Sequence, residues 1–134
     1  MLNKRQNLRR TKRGSLLIQA VAVGSILIVI SMALIDLIVM VLANGVNDAA
    51  AKNAARAAAG QSTMDSAVTA ARNAVQEKKP SGFITSLILQ SVDYDPKKNV
   101  SCKTKMEISL PIPVPLVGSK YVFMAQATEP IVAR

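Results

Sequence analysis

Between Ser15 and Ala43 the chain reads SLLIQAVAVGSILIVISMALIDLIVMVLA, and this run constrains the fold more than any other feature. From Leu16 to Leu42 the only strongly polar side chains are Gln19 and Asp36. As a helix rising about 1.5 Å per residue, the run is roughly 40 Å long. A bilayer hydrocarbon core is about 30 Å thick, so a membrane-spanning helix is the first expectation. A soluble domain of this size seldom holds so long a helix that is apolar all round.

What surrounds the run sets its direction. Lys4, Arg5, Arg9, Arg10, Lys12 and Arg13 crowd into residues 1–14, which carry no acidic residue, whereas basic and acidic groups are closer to balance in the rest of the chain. Cationic flanks stay cytoplasmic, so these six residues orient the chain with its N-terminus inside and everything after the apolar run outside. Nucleic-acid binding is the rival reading of a basic cluster, but residues 1–14 hold no aromatic for base stacking and adjoin the apolar run, so no nucleic-acid partner is expected. A secretory signal is a second rival. Its apolar region is shorter, although Ala43-Asn44-Gly45 resembles a weak cleavage site. The leader itself reads as polar and disordered.

Two features inside the run need a placement. Gly24, Ser25 and Ser31 either let helices approach closely or are simply tolerated there. Asp36 would be costly at mid-membrane, but counted from Leu16 it lies roughly 30 Å along the axis, near the far interface. Leu37–Leu42 then extend beyond the boundary. Neighbouring helices of a homologous assembly are the expected cover for them, with a tilted helix as the alternative.

About ninety residues remain beyond the run, enough for one small domain. Ala49, Ala50, Ala51, Ala54, Ala55, Ala57, Ala58 and Ala59 favour helix, with Asn44-Gly45 loosening its start and Gly60 ending it. Ser62-Thr63-Met64-Asp65 resembles a capping signal, and Met64, Ala67, Val68, Ala71 and Val75 share one face of the helix that follows. Lys78 and Lys79 suit its C-terminal end and Pro80-Ser81-Gly82 closes it. The period then changes to two. Thr85–Tyr94 reads as a strand with Leu87, Leu89 and Ser91 on one face, and Asp95–Asn99 as a turn. Val100, Cys102, Thr104, Met106, Ile108 and Leu110 alternate with polar residues in a second strand. Pro111–Gly118 reads as loop or edge, and Ser119–Thr128 as a third strand with Tyr121, Phe123, Ala125 and Ala127 on one side. The expected architecture is α+β and membrane-anchored: leader 1–14, transmembrane helix 15–43, Ala-rich helical extension 44–60, and an extracytoplasmic domain 61–134. In that domain a three-stranded antiparallel meander packs on the second, amphipathic helix.

Chemistry is sparse. The chain has no His and one cysteine, Cys102, which excludes a Cys–His pair and an intramolecular disulfide. No phosphate loop, HExxH, GxSxG or dinucleotide fingerprint is present, so no catalytic residue, metal or cofactor is expected. Asp93 and Asp95 border a Pro-Lys-Lys turn and read as turn chemistry. Cys102 reads as a small buried hydrophobe.

The junction before the apolar run carries a sharper signal. Lys12-Arg13-Gly14-Ser15-Leu16-Leu17-Ile18-Gln19 sets a basic pair and a glycine ahead of an unbroken apolar helix, with a polar residue fifth after the glycine. This resembles the processing site of type IV prepilins, which implies cleavage between Gly14 and Ser15 by an intramembrane prepilin peptidase. The junction, Ile35-Asp36-Leu37 and the segment from Val46 to Ala58 together resemble the N-terminal region of TadE/TadG-like pseudopilins of the tight-adherence (Flp) pilus system. Tyr121–Pro130 is similar to the last strand of that family's outer domain. The resemblance implies a pilin-like subunit of the cytoplasmic membrane whose helix packs with other pilin or pseudopilin subunits, with Gln19 and Asp36 as subunit contacts. Family members usually carry Glu where Gln19 stands, a carboxylate thought to pair with a neighbour's freed amine. An amide accepts a hydrogen bond from an ammonium group but lacks the charge. A minor subunit is therefore expected rather than a major one. The alternatives are an uncleaved single-pass anchor with a partner-binding outer domain, and a membrane-tethered enzyme built from Asp, Lys and Ser.

Overall fold

The computed structural model describes residues 2–77, 82–114 and 118–131, with side chains described from Gly14 onward except at 112–114. It forms two compact units, Met1–Ile35 and Asp36–Arg134. A single helix, α1 (Leu2–Ala59), supplies the first unit and enters the second. No proline occurs before residue 80, and Ala and Leu are the commonest residues of α1, so nothing interrupts helix propagation once it has nucleated. Two expectations change here. The basic leader, read as disordered, is helical from Leu2, because its Leu, Lys, Arg and Gln residues are good helix formers adjoining a strong helix. Asn44-Gly45 does not loosen the helix. Ala43 and Asn47 on either side are buried, and a Cβ at Gly45 would meet nothing within 4 Å, so the glycine occupies the open side.

Within the unit Asp36–Arg134, α1 presents a buried stripe at three- and four-residue spacings: Asp36, Ala43, Asn47, Ala50, Ala51, Ala54, Ala55 and Ala58. A tight turn follows at Gly60, where the Gln61 amide donates to the Ala58 carbonyl at 3.1 Å. Helix α2 (Met64–Gln76) is capped by Thr63, in extended conformation, whose Oγ1 accepts from the Ser66 amide at 3.3 Å. The cap is one residue later than a Ser62–Asp65 pair would place it. Ala67, Ala71 and Val75 are buried and Val68 half-buried, but Met64 is 54% exposed, because the first turn overhangs the packed surface. The expected C-terminal residues Lys78, Lys79, Pro80 and Ser81 lie outside the described residues.

The sheet is an antiparallel meander in the order β1 (Ile84–Tyr94), β2 (Asn99–Val114), β3 (Gly118–Pro130). Central β2 alternates as expected, with Val100, Cys102, Thr104, Met106, Ile108 and Leu110 buried. Its register sets Leu87 opposite Met106 and Val92 opposite Cys102 on one side. On the other, Phe123 faces Met106 and Tyr121 faces Ile108. Ser91 is exposed, not inward. An irregularity between Leu89 and Ser91 adds a residue and reverses the parity, so Val92 and Tyr94 turn toward the core. The stretch from Pro111 is not simply a loop, since β2 continues to Val114 and pairs with Gly118. The prolines are tolerated there because β1 pairing ends at Ile84–Ile108 and the β2–β3 register is interrupted between Ser109 and Val114. Residues 115–117 lie outside the described residues.

Two clusters fill the unit. Ala54, Ala55, Ala58 and Ala59 of α1 meet Ala67, Ala71 and Val75 of α2 and Val100 and Cys102 of β2. Ala43 meets Met106, Ile108 and Leu110, with Val39, Met40, Phe83, Tyr121 and Phe123 packed around them. The sheet thus packs on the Ala stripe of α1 as well as on α2, and the Ala-rich extension belongs to the same compact unit as the strands. Alanine makes this possible because its single methyl lets a backbone approach another closely.

Candidate functional site

Gly14 and Ser15 lie inside α1, both exposed, and a Cβ at Gly14 would meet nothing within 4 Å. Both residues flanking this peptide bond are open to solvent among the described residues. Glycine in a helix interior is less favourable than alanine by roughly 0.5–1 kcal/mol, so the helix unwinds more readily at this point. Gln19 is exposed on the same helix, about 7.5 Å further along the axis. Lys4, Arg5, Arg9, Arg10, Lys12 and Arg13 lie on α1, with side chains outside the described residues.

The exposed surface beyond the junction is apolar. Leu17, Ile18, Val21, Ile28 and Val29 are each more than 60% exposed. Among the described residues, one helix near the N-terminus is long and apolar enough to cross a membrane. The Ser25 and Ser31 hydroxyls donate to the Val21 and Leu27 carbonyls at 2.9 and 2.8 Å. Their polar atoms are therefore satisfied within the helix and need no partner.

Asp36 and Gln19 are not brought together. Asp36 is only 2% exposed, and neither carboxylate oxygen has a hydrogen-bond partner among the described residues. It shares the buried stripe with Ala43, seven residues on, so the one acidic residue of the apolar run is turned away from the exposed surface. The residues that follow split between two faces. Val39 and Met40 pack on the sheet cluster, while Leu37, Ile38, Val41 and Leu42 are 55–64% exposed.

Sequence reading missed Asn47. It is fully buried, and its Oδ1 accepts from Thr104 Oγ1 at 2.8 Å, tying α1 to the central strand. Asn47 Nδ2 has no partner among the described residues. The available signal was its spacing, four residues from Ala43 and three from Ala50 on the stripe.

At the other end of the sheet an open hollow of about 670 Å³ is lined by Arg56, Gln61, Tyr94, Pro96, Glu129 and Ile131, among others. Its one ion pair among the described residues sets Arg56 Nε donating to Glu129 Oε1 at 3.3 Å, and the Tyr94 hydroxyl donates to the Gln61 carbonyl at 2.7 Å. Asp95 works as turn chemistry predicts, accepting from the Lys97 amide at 3.1 Å, and Asp93 is exposed on β1. Cys102 is fully buried, and burial pushes its thiol pKa up to about 11. No group of three or more His, Cys, Asp or Glu among the described residues is placed to hold a metal. No family model, curated protein or solved structure matches the chain.

Proposed function

We propose that the protein is a minor, pseudopilin-like structural subunit of a pilus-assembly system. It is anchored in the cytoplasmic membrane with its N-terminus inside and its sheet unit outside. The observation that carries this reading is the combination on α1 of an exposed Gly14–Ser15 junction, an unbroken apolar surface, and a C-terminal stretch that packs a small sheet. The leader's positive charge holds the junction at the cytoplasmic face, where a prepilin peptidase cuts after Gly14. Cutting removes six cationic side chains and leaves Ser15 with a free amine. Gln19 then offers its amide oxygen to a neighbour's N-terminus, while the helices of adjacent subunits lie side by side. Asp36 takes a polar partner from the assembly only if that partner reaches the buried stripe.

The test is incubation of the membrane-reconstituted chain with a prepilin peptidase. The mature chain should begin at Ser15, and Gly14→Val should block the reaction. A wild-type chain that keeps its leader under conditions where a genuine prepilin is cut would favour the uncleaved anchor instead.

A further inference from the structure

We propose that the end of the Asp36–Arg134 unit nearest the apolar segment is itself seated in the outer interfacial layer of the bilayer, so that lipid headgroups and upper acyl chains cover Leu37, Ile38, Val41, Leu42 and Pro111. The inference rests on the membrane-anchored reading and adds a second contact to it. The compact sheet unit does not begin after the apolar run. It begins at Asp36 and takes the last seven apolar residues with it. Of those residues, Leu37, Ile38, Val41 and Leu42 are exposed.

Length selects lipid as the occupant. From Leu16 to Leu42 the helix is roughly 40 Å long, beyond a 30 Å hydrocarbon core but matched to the 40–45 Å that includes the interfacial regions. The charge pattern agrees. Asp36, the one charge in that span, is 2% exposed, so the lipid-facing surface is not interrupted by it. On the sheet, Leu110 belongs to the same cluster as Ala43, Val39 and Met40, which sets the end of β2 beside this stretch of α1. Pro111 follows and is exposed, and no charged residue occurs from Leu110 to Ser119. The first charge beyond is Lys120, exposed and opposite Ser109 on β2, where its long side chain can reach headgroup phosphates. Prolines at 111 and 113 remove backbone donors from this end, which lessens the penalty of immersing it.

The chain has no tryptophan, so single-tryptophan variants report cleanly. Leu37→Trp, Pro111→Trp, Ile28→Trp and Asp93→Trp are made in the full chain and reconstituted in phosphatidylcholine vesicles brominated either near the headgroup or near the acyl end. Leu37→Trp and Pro111→Trp should lose most of their emission to headgroup-proximal bromine, Ile28→Trp to the deep bromine, and Asp93→Trp to neither. Leu37→Trp stands on an exposed helix face, so it reports even if Pro111→Trp disturbs the strand. Quenching at Ile28 with none at Leu37 and Pro111 overturns the interfacial seat and leaves the anchor standing. No quenching at Ile28 overturns the anchor as well. Protection of Leu37 and Pro111 from both bromolipid and aqueous iodide assigns the surface to a second copy and equally overturns the proposal.

Discussion

Single residues define how tightly the sheet unit is built. Ala54, Ala55, Ala58, Ala67 and Ala71 are fully buried where α1, α2 and β2 meet. Ala54→Leu should therefore destabilise the unit by about 1–3 kcal/mol, read as a lowered denaturation midpoint in detergent. The Asn47–Thr104 bond makes a different prediction. Thr104→Val leaves the buried Asn47 carbonyl oxygen without its donor and should lower stability by about 1–3 kcal/mol. Adding Asn47→Leu should not add a second equal loss, because the two residues share one interaction. Cys102 supplies a pH dependence. Its folded pKa of about 11 lies above the ordinary thiol value of 9.0, so burying the neutral thiol stabilises the fold fully below pH 9.0. That contribution disappears as pH rises toward 11, and a thiol reagent at neutral pH should label Cys102 only after denaturant is added.

Secondary elements were legible in the sequence where one periodicity acted alone. The alternation from Val100 to Leu110 predicted both the strand and its buried face, since a strand buried on one side has no other arrangement. The inward set of β1 could not be read in the same way. The extra residue between Leu89 and Ser91 depends on pairing with β2, so no local signal marks it. The Ala run of α1 predicted a helix but not what packs on it. The same small residues suit another subunit's helix or this chain's own sheet, and the fold uses them for the sheet. The exposure of Gly14 and Gln19 on a helix surface needs no tertiary context, whereas the burial of Asp36 depends on packing within the sheet unit. At this scale the cap of α2 is testable. Thr63→Ala removes the acceptor for the Ser66 amide and should lower stability by roughly 0.5–2 kcal/mol, with Thr63→Ser retaining most of it.

At the scale of the molecule, one helix runs through the apolar segment into a small sheet unit, and under the proposed function the basic leader is removed. Neutralising Lys4, Arg5, Arg9, Arg10, Lys12 and Arg13 together should weaken the N-inside orientation, visible as protease access to the leader from the outer face. On the proposed pilin-like function, Gln19→Glu supplies the carboxylate usual at this place in type IV pilins and should raise the share of the protein found in sheared filaments. Both outcomes depend on the chain being a processed subunit. The most direct measurement is the intact mass of the protein extracted from its native membranes. The account predicts a chain that starts at Ser15. A population that still starts at Met1, in cells whose other prepilins are fully trimmed, would contradict it.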